Sequence, residues 1–228
     1  VPWDGKIRWA LDGATVFKDS DEERRARSPY NLFGRDGTKL WVFQYGLRYI
    51  PTDTETDVYR AVKVDGLPSD AKLSEILSLT PGEIFSARML DTLAITGTKT
   101  ALITFVHQVD AVSFFQASKD GLRLKSGQAT VAPIPTPSYP ISADMARLIF
   151  DKGYTRCIRI TNLREPLKAE ILRVLGNAYL LSQIESIHDE PGVGRSRLHF
   201  CSIKGAAAAY VLLRSLAKFD ECQWEFVK

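Results

Sequence analysis

The sequence predicts an α+β chain made of two β-α-β-β-α-β units in tandem, preceded by an aromatic-rich extension. Three observations predict it. Residues 61–134 and 155–228 can be read with the same order of elements. Each opens on a short alternating strand that ends in a turn, "VKVDGL" (62–67) and "IRITNL" (158–163). Each strand is followed by a run with helical spacing, two more strands, a second helix and a last strand.

In the first copy, "SDAKLSEILSL" places Leu73, Ile76, Leu77 and Leu79 at helical spacing, with Ser69 or Asp70 as the N-cap. "EIFSARMLD" and "KTALITFVH" read as strands, and "QVDAVSFFQAS" as a helix with Val109, Val112 and Phe115 near one face. "GQATVAPI" is the closing strand. In the second copy, "EPLKAEILRVLG" is a helix with Pro166 in its first turn, Leu167, Ile171, Val174 and Leu175 inward, and Gly176 as its stop. "LLSQIESIH" and "SRLHFCSIK" are strands joined by the turn-rich "DEPGVGR". "AAAAYVLLRSLAKF" is strongly helical, and "CQWEFVK" is the final strand. This order is the ferredoxin-like split βαβ plan: a four-stranded antiparallel sheet with two helices on one face. The connector is Pro-rich and then offers a short helix capped by Ser142, whose Met145, Leu148 and Ile149 need cover. The expected division is an extension over 1–58, domains over 59–134 and 155–228, and a linker over 135–154.

At these strands the chain resembles the RNA-recognition-motif (RRM) family, twice, over about two thirds of its length. The family's first strand reads apolar, aromatic, apolar, any, Asn or Gly, Leu. Both copies fit except at the aromatic, where Lys63 and Arg159 stand. The third-strand octamer reads basic, Gly, aromatic, small, aromatic, apolar, any, aromatic. "TKTALITF" supplies small Ala101 and apolar Ile103 and Phe105, with Thr100 and Leu102 in place of the stackers; Ala111 follows six residues on. "SRLHFCSI" puts Leu198 at one aromatic position and Phe200 at the other, with Ala209 six residues past Ile203 and His199 at a small core position.

The resemblance implies that outward aromatics stack bases and that Arg or Lys handles phosphates. The implied RNA-binding residues of copy two are Arg159, Thr161, Arg195, Arg197, Leu198 and Phe200. Those of copy one, a weaker cluster, are Lys63, Arg88, Thr100 and Leu102. Each has a plainer reading. A one-residue slip would send Phe200 to the core, and Lys63 could pair with Asp65.

The first sixty residues do not repeat this pattern. They hold Trp3, Trp9 and Trp41, and "KLWVFQYGLRYI" alternates like an extra strand. So many aromatics need burial, and the first domain is the expected docking surface.

Composition sets the outer limits. Apolar content is 45% and charged content 25%, ordinary for a globular chain. Residues 1–60 carry ten basic and ten acidic side chains, 61–134 seven of each, and 135–228 thirteen against ten. The whole excess of +3 thus lies in the last part. No apolar run approaches the ~20 residues that span a bilayer. Cys157, Cys201 and Cys222 have no metal-like spacing, which fits free thiols in an intracellular setting, nuclear or cytoplasmic. His107, His188 and His199 fall in no catalytic motif. "PGVGRS" lacks the following helix that a phosphate loop needs. The fold class includes acylphosphatases, but their Arg and Asn arrangement around a phosphate loop is not found. The chain opens on Val1 and closes on a strand-like run, as a piece of a longer protein would. The expectation is a non-catalytic binder of single-stranded RNA, with no cofactor, metal or membrane partner. The alternative is a scaffold whose degenerate motifs hold a peptide or partner subunit.

Overall fold

The computed structural model describes Pro51 and residues 55–125, 127–192 and 194–228. The tryptophan-rich stretch with Trp3, Trp9 and Trp41, and its expected docking, lie outside the described residues.

Copy one begins with β1 (Ala61–Leu67), whose Val62, Val64 and Leu67 are buried while Lys63 is exposed. Helix α1 (Leu73–Ser78) buries Ile76 and Leu77. Its cap position is Lys72, without a side-chain cap bond, rather than Ser69 or Asp70. Strand β2 (Ile84–Leu90), a one-turn helix α2 (Leu93–Thr96) and β3 (Lys99–Phe105) follow. Ala101, Ile103 and Phe105 are fully buried, so β3 has the expected inward set. Helix α3 (Gln108–Ala117) buries Ala111 and Phe114, whereas Val109 and Val112 are exposed. The face that packs is therefore set by Ala111 and Phe114, with Phe115 at its margin. The sheet closes on β5 (Gly127–Pro133) and gains one strand that the sequence reading omits, β4 (Leu122–Leu124). The first sheet is thus five-stranded, in the order β2-β3-β1-β5-β4, rather than four-stranded.

Copy two has the order β7-β8-β6-β9, all antiparallel. Its strands are β6 (Cys157–Thr161), β7 (Ile184–Asp189), β8 (Ser196–Phe200) and β9 (Gln223–Phe226). The linker helix α4 (Ala143–Ala146) precedes them, and Ser142 Oγ accepts from Met145 N–H at 3.4 Å as its cap. Helix α5 (Glu165–Asn177) runs past Gly176. It stops where Tyr179 turns left-handed (φ 57°). Leu180 N–H then bonds Leu175 C=O and Tyr179 N–H bonds Gly176 C=O, the Schellman pairing. Helix α6 (Ile203–Arg214) is capped by Ser202 Oγ, which accepts from Gly205 N–H. Both copies follow the RRM-like β-α-β-β-α-β course, each around its own core.

Two details mark the repeat more finely than the strand pattern. Gly66 (φ 77°) and Asn162 (φ 60°) hold the same left-handed turn, which explains Gly or Asn before the leucine. Arg60 and Arg156 precede the first strands at matching positions. Each sends Nη1 to the carbonyl of the phenylalanine that ends the third strand, Phe105 at 2.9 Å and Phe200 at 3.3 Å.

The copies meet along β2, the edge of the first sheet. Ala87 N–H donates to Cys201 C=O at 2.7 Å, and Ser86 bridges Ser202. This covers an edge that would otherwise offer free backbone groups. Val106 from copy one, Ile149 from the linker and Ile203 from α6 form a small shared core, with Phe85, Ile141, Met145 and Tyr154 around it. Residues 57–228 form one compact unit.

Candidate nucleic-acid interface

Strand β8 corrects the sequence reading at its most consequential point. Leu198 and Phe200 are 1% and 0% exposed and belong to the core, not to the open face. Arg159 stands opposite Arg197, and Ile158 opposite Leu198. In copy one Lys63 stands opposite Leu102, and Val62 opposite Ile103. Arg197 therefore matches Leu102, and Phe200 matches Phe105. The octamer of copy two is residues 193–200, "VGRSRLHF", rather than "SRLHFCSI". The physical reason is burial. A slip of one residue would bury Arg197 and expose Phe200. Ala206, six residues past Phe200 and fully buried, takes the place expected of Ala209.

In this register Gly194 falls at the octamer's glycine. Its φ is 70°, and a Cβ there would lie 2.9 Å from the Leu163 carbonyl oxygen. Leu163 N–H bonds Gly194 C=O at 2.9 Å, so the hairpin loop is pinned to the end of β6. The two stacking positions that follow are Arg195 and Arg197. With Arg159 on β6, all three places where the family carries outward, base-stacking aromatics hold arginine, while the octamer's last, inward aromatic is kept as Phe200.

The open face of copy two is a set of rows across its strands. One row runs His188, Arg197, Arg159, Glu225. Arg159 donates from Nε to Glu190 Oε2 at 2.9 Å, from Nη2 to Glu190 Oε1 at 3.4 Å, and from Nη1 to Glu225 Oε2 at 3.2 Å. Arg197 pairs with the same Glu190 carboxylate. The hydrogen bond from Arg159 holds the Glu190 carboxyl below its usual range, against the opposing effect of its own desolvation; Arg197 adds to the lowering. The same contact raises Arg159. Thr161 Oγ1 donates to Gln223 Oε1 at 3.4 Å. Arg195 is exposed and has no carboxylate within ion-pair distance among the described residues.

The neighbouring row runs Ser186, His199, Cys157. His199 is half-buried on this face, not in the small core position expected of it. Burial, helped by Arg156, His188 and Arg197, pushes it down to about 4. Cys157 Sγ lies 3.6 Å from its Nε2, and burial raises the thiol to about 11. A neutral imidazole beside a protonated thiol is not an activated nucleophile pair. From His188 and His199 the face leads into a groove of about 580 Å³, walled on the other side by Lys72, Glu75 and Lys125 of copy one.

Copy one differs. Lys63 pairs with Asp65 at 2.6 Å, and Thr100 Oγ1 donates to the same carboxylate at 2.9 Å. Leu102 is half-buried between them and Arg88, which is exposed on β2. The four residues do share one face, but among the described residues it carries one closed ion pair, and Arg88 pairs with no carboxylate. Among the described residues no group of three His, Cys, Asp or Glu is placed to hold a metal. No helix among them is long and apolar enough to cross a membrane.

Sequence reasoning missed Glu190 and Glu225. The available signals were Gly194 at the octamer's second position and the matched Arg60 and Arg156.

No family model and no curated protein matches the chain. Similar solved structures include the N-terminal three RNA-binding domains of the yeast splicing factor Prp24, at 19% identity over 76% of this chain and 68% of that one, TM-score 0.28. RNA recognition domains 1 and 2 of Sex-lethal from Drosophila melanogaster match at 16% identity over 74% and 99%, TM-score 0.27. The first two RRM domains of the yeast poly(U)-binding protein Pub1 match at 17% identity over 68% and 90%, TM-score 0.31.

Proposed function

We propose that this tandem RRM-like chain is a non-catalytic RNA-binding protein whose second domain contacts single-stranded RNA through arginines in place of aromatics. The observation that carries the reading is the placement of Arg159, Arg195 and Arg197 at the three positions where this fold presents base-stacking rings. A guanidinium plane stacks on a base and also pairs with a phosphate. Arg159 is hydrogen-bonded to Glu190 and Glu225 on the open face, so its guanidinium is already positioned there. A strand crossing this face would continue past His188 into the groove beside Lys72 and Lys125. Copy one, with its face closed by Asp65, acts as the fixed wall of that groove. Free thiols at Cys157, Cys201 and Cys222 suit an intracellular setting, nuclear or cytoplasmic.

The second reading, a scaffold that holds a peptide, draws on Glu190 and Glu225 because they already neutralise two of the three arginines. One titration separates the two. A pool of short labelled single-stranded RNAs is followed by anisotropy at low salt, where phosphate contacts are strongest. The RNA reading expects binding by the wild type and a loss of about ten-fold or more in R159A/R197A. No binding by the wild type at low salt defeats it in favour of the scaffold.

A further inference from the structure

Arg159 and Arg197 stand directly opposite each other on neighbouring strands. Like charges in that position destabilise a sheet, and an anion between them offsets the repulsion. Glu190 supplies that anion, yet it belongs to neither strand. It is the residue after β7, where the hairpin loop begins, and its N–H donates to the Arg195 carbonyl at 3.1 Å. Its side chain is 17% exposed, while Glu225, which reaches only Arg159, is 66% exposed. The fit of one carboxylate to two guanidiniums is incomplete. Arg197 Nε is buried and has no hydrogen-bond partner among the described residues. A backbone phosphodiester also presents two anionic oxygens, set on a tetrahedral rather than a planar centre, and pairs with guanidinium forks as a carboxylate does.

Resting on the RNA reading above, we infer that Arg159 and Arg197 form a site for one backbone phosphate of single-stranded RNA, and that Glu190 occupies this site until RNA displaces it. Arg195, exposed and two residues before Arg197 on the same side, makes the first contact with the incoming strand. The exchange of one anion for another reads no base, so it lowers affinity for all sequences alike.

The test compares wild type, E190Q and E225Q with a short labelled single-stranded RNA of mixed sequence across a salt series. E190Q is expected to bind about ten-fold tighter. Its log–log salt slope should match that of wild type, because the same phosphate contact forms in both complexes once Glu190 has been displaced. E225Q, which frees one nitrogen of Arg159, should gain about three-fold. Unchanged or weaker binding by E190Q overturns the inference. If E190Q does not fold, E225Q decides, and no gain there overturns it. If neither wild type nor E190Q binds RNA, the RNA reading has failed on its own account. Inorganic phosphate then judges the anion site through the side-chain Nε–H signals of Arg159 and Arg197. Signals that shift in E190Q but hardly in wild type sustain the site; signals that stay still in E190Q overturn it.

Discussion

In copy one, Lys63 is closed by Asp65, two residues along its own strand; in copy two, Arg159 reaches across the sheet to Glu190 and Glu225. The inward residues of the two are nearly interchangeable. Val62, Val64, Ile103 and Phe105 of the first match Ile158, Ile160, Leu198 and Phe200 of the second, all buried. The comparison teaches that the core pattern and the face pattern vary independently in this fold, because alternate residues on a strand answer to different surroundings. A core position is set by the volume it must fill, whereas a face position is set by what it must touch. Copy one has uncharged side chains at its two third-strand positions, Thr100 and Leu102. Copy two has guanidiniums at both.

The largest expected effect tests the shared half of the comparison. Phe105→Ala and Phe200→Ala should each cost about 3–5 kcal/mol in denaturant melts, as buried rings do. A Phe200→Ala protein of near wild-type stability would return Phe200 to the face and break the register proposed for β8. The matched arginines come next. Arg156→Ala leaves Glu185, with a side chain only 6% exposed, without its partner and should cost about 3 kcal/mol. Arg60→Ala removes bonds to the carbonyls of Phe105 and Tyr139 and should cost about 1–3 kcal/mol. A cost below about 1 kcal/mol for Arg156→Ala would show that Glu185 does not depend on it.

Smaller effects test the half that differs. Arg159→Ala alone should weaken RNA binding by about five- to ten-fold, and Lys63→Ala by less than about two-fold. Similar losses from both would assign RNA to both faces. The last is a pH effect at matched positions, Thr104 in copy one and His199 in copy two. His199 is depressed from 6.5 to about 4 in the folded chain. Its neutral form is the one that folds, so its contribution is complete above about pH 6.5 and is lost as pH falls toward 4. His199→Gln should flatten that part of the stability–pH curve relative to wild type, while Thr104→Val leaves its shape unchanged. A wild-type curve with no more slope than His199→Gln between those values would contradict the buried, uncharged imidazole.

The fold was legible because period-two alternation and helical spacing are local properties. "VKVDGL" and "IRITNL" announce their strands, and the turn residues Gly66 and Asn162 are dictated by a left-handed φ. The register of β8 was not legible from one strand. Leu198 and Phe200 form one alternating set, Arg197 and His199 the other, and an aromatic at position 200 suits a stacker as well as a core. Only pairing with β6 and the buried volume around Phe200 decide between them. Glu190 was invisible for a related reason: it lies 31 residues from Arg159 in sequence and meets it only through the β7–β8 hairpin. Strand β4 was missed because three residues carry too little pattern. The packed face of α3 was misjudged because Val109 and Val112 are more apolar than Ala111, yet Ala111 is the one that fits against the sheet.

The most direct measurement of the central claim is a residue-resolved one. Short single-stranded RNA is titrated at low salt into the isotope-labelled chain, and backbone amide shifts are mapped onto both sheets. The account predicts shifts concentrated on β6, β8, β9 and the hairpin loop before Arg195, extending toward Lys72 and Lys125, with the Lys63–Thr100 face silent. Shifts centred on copy one's face, or none on either sheet, would contradict it.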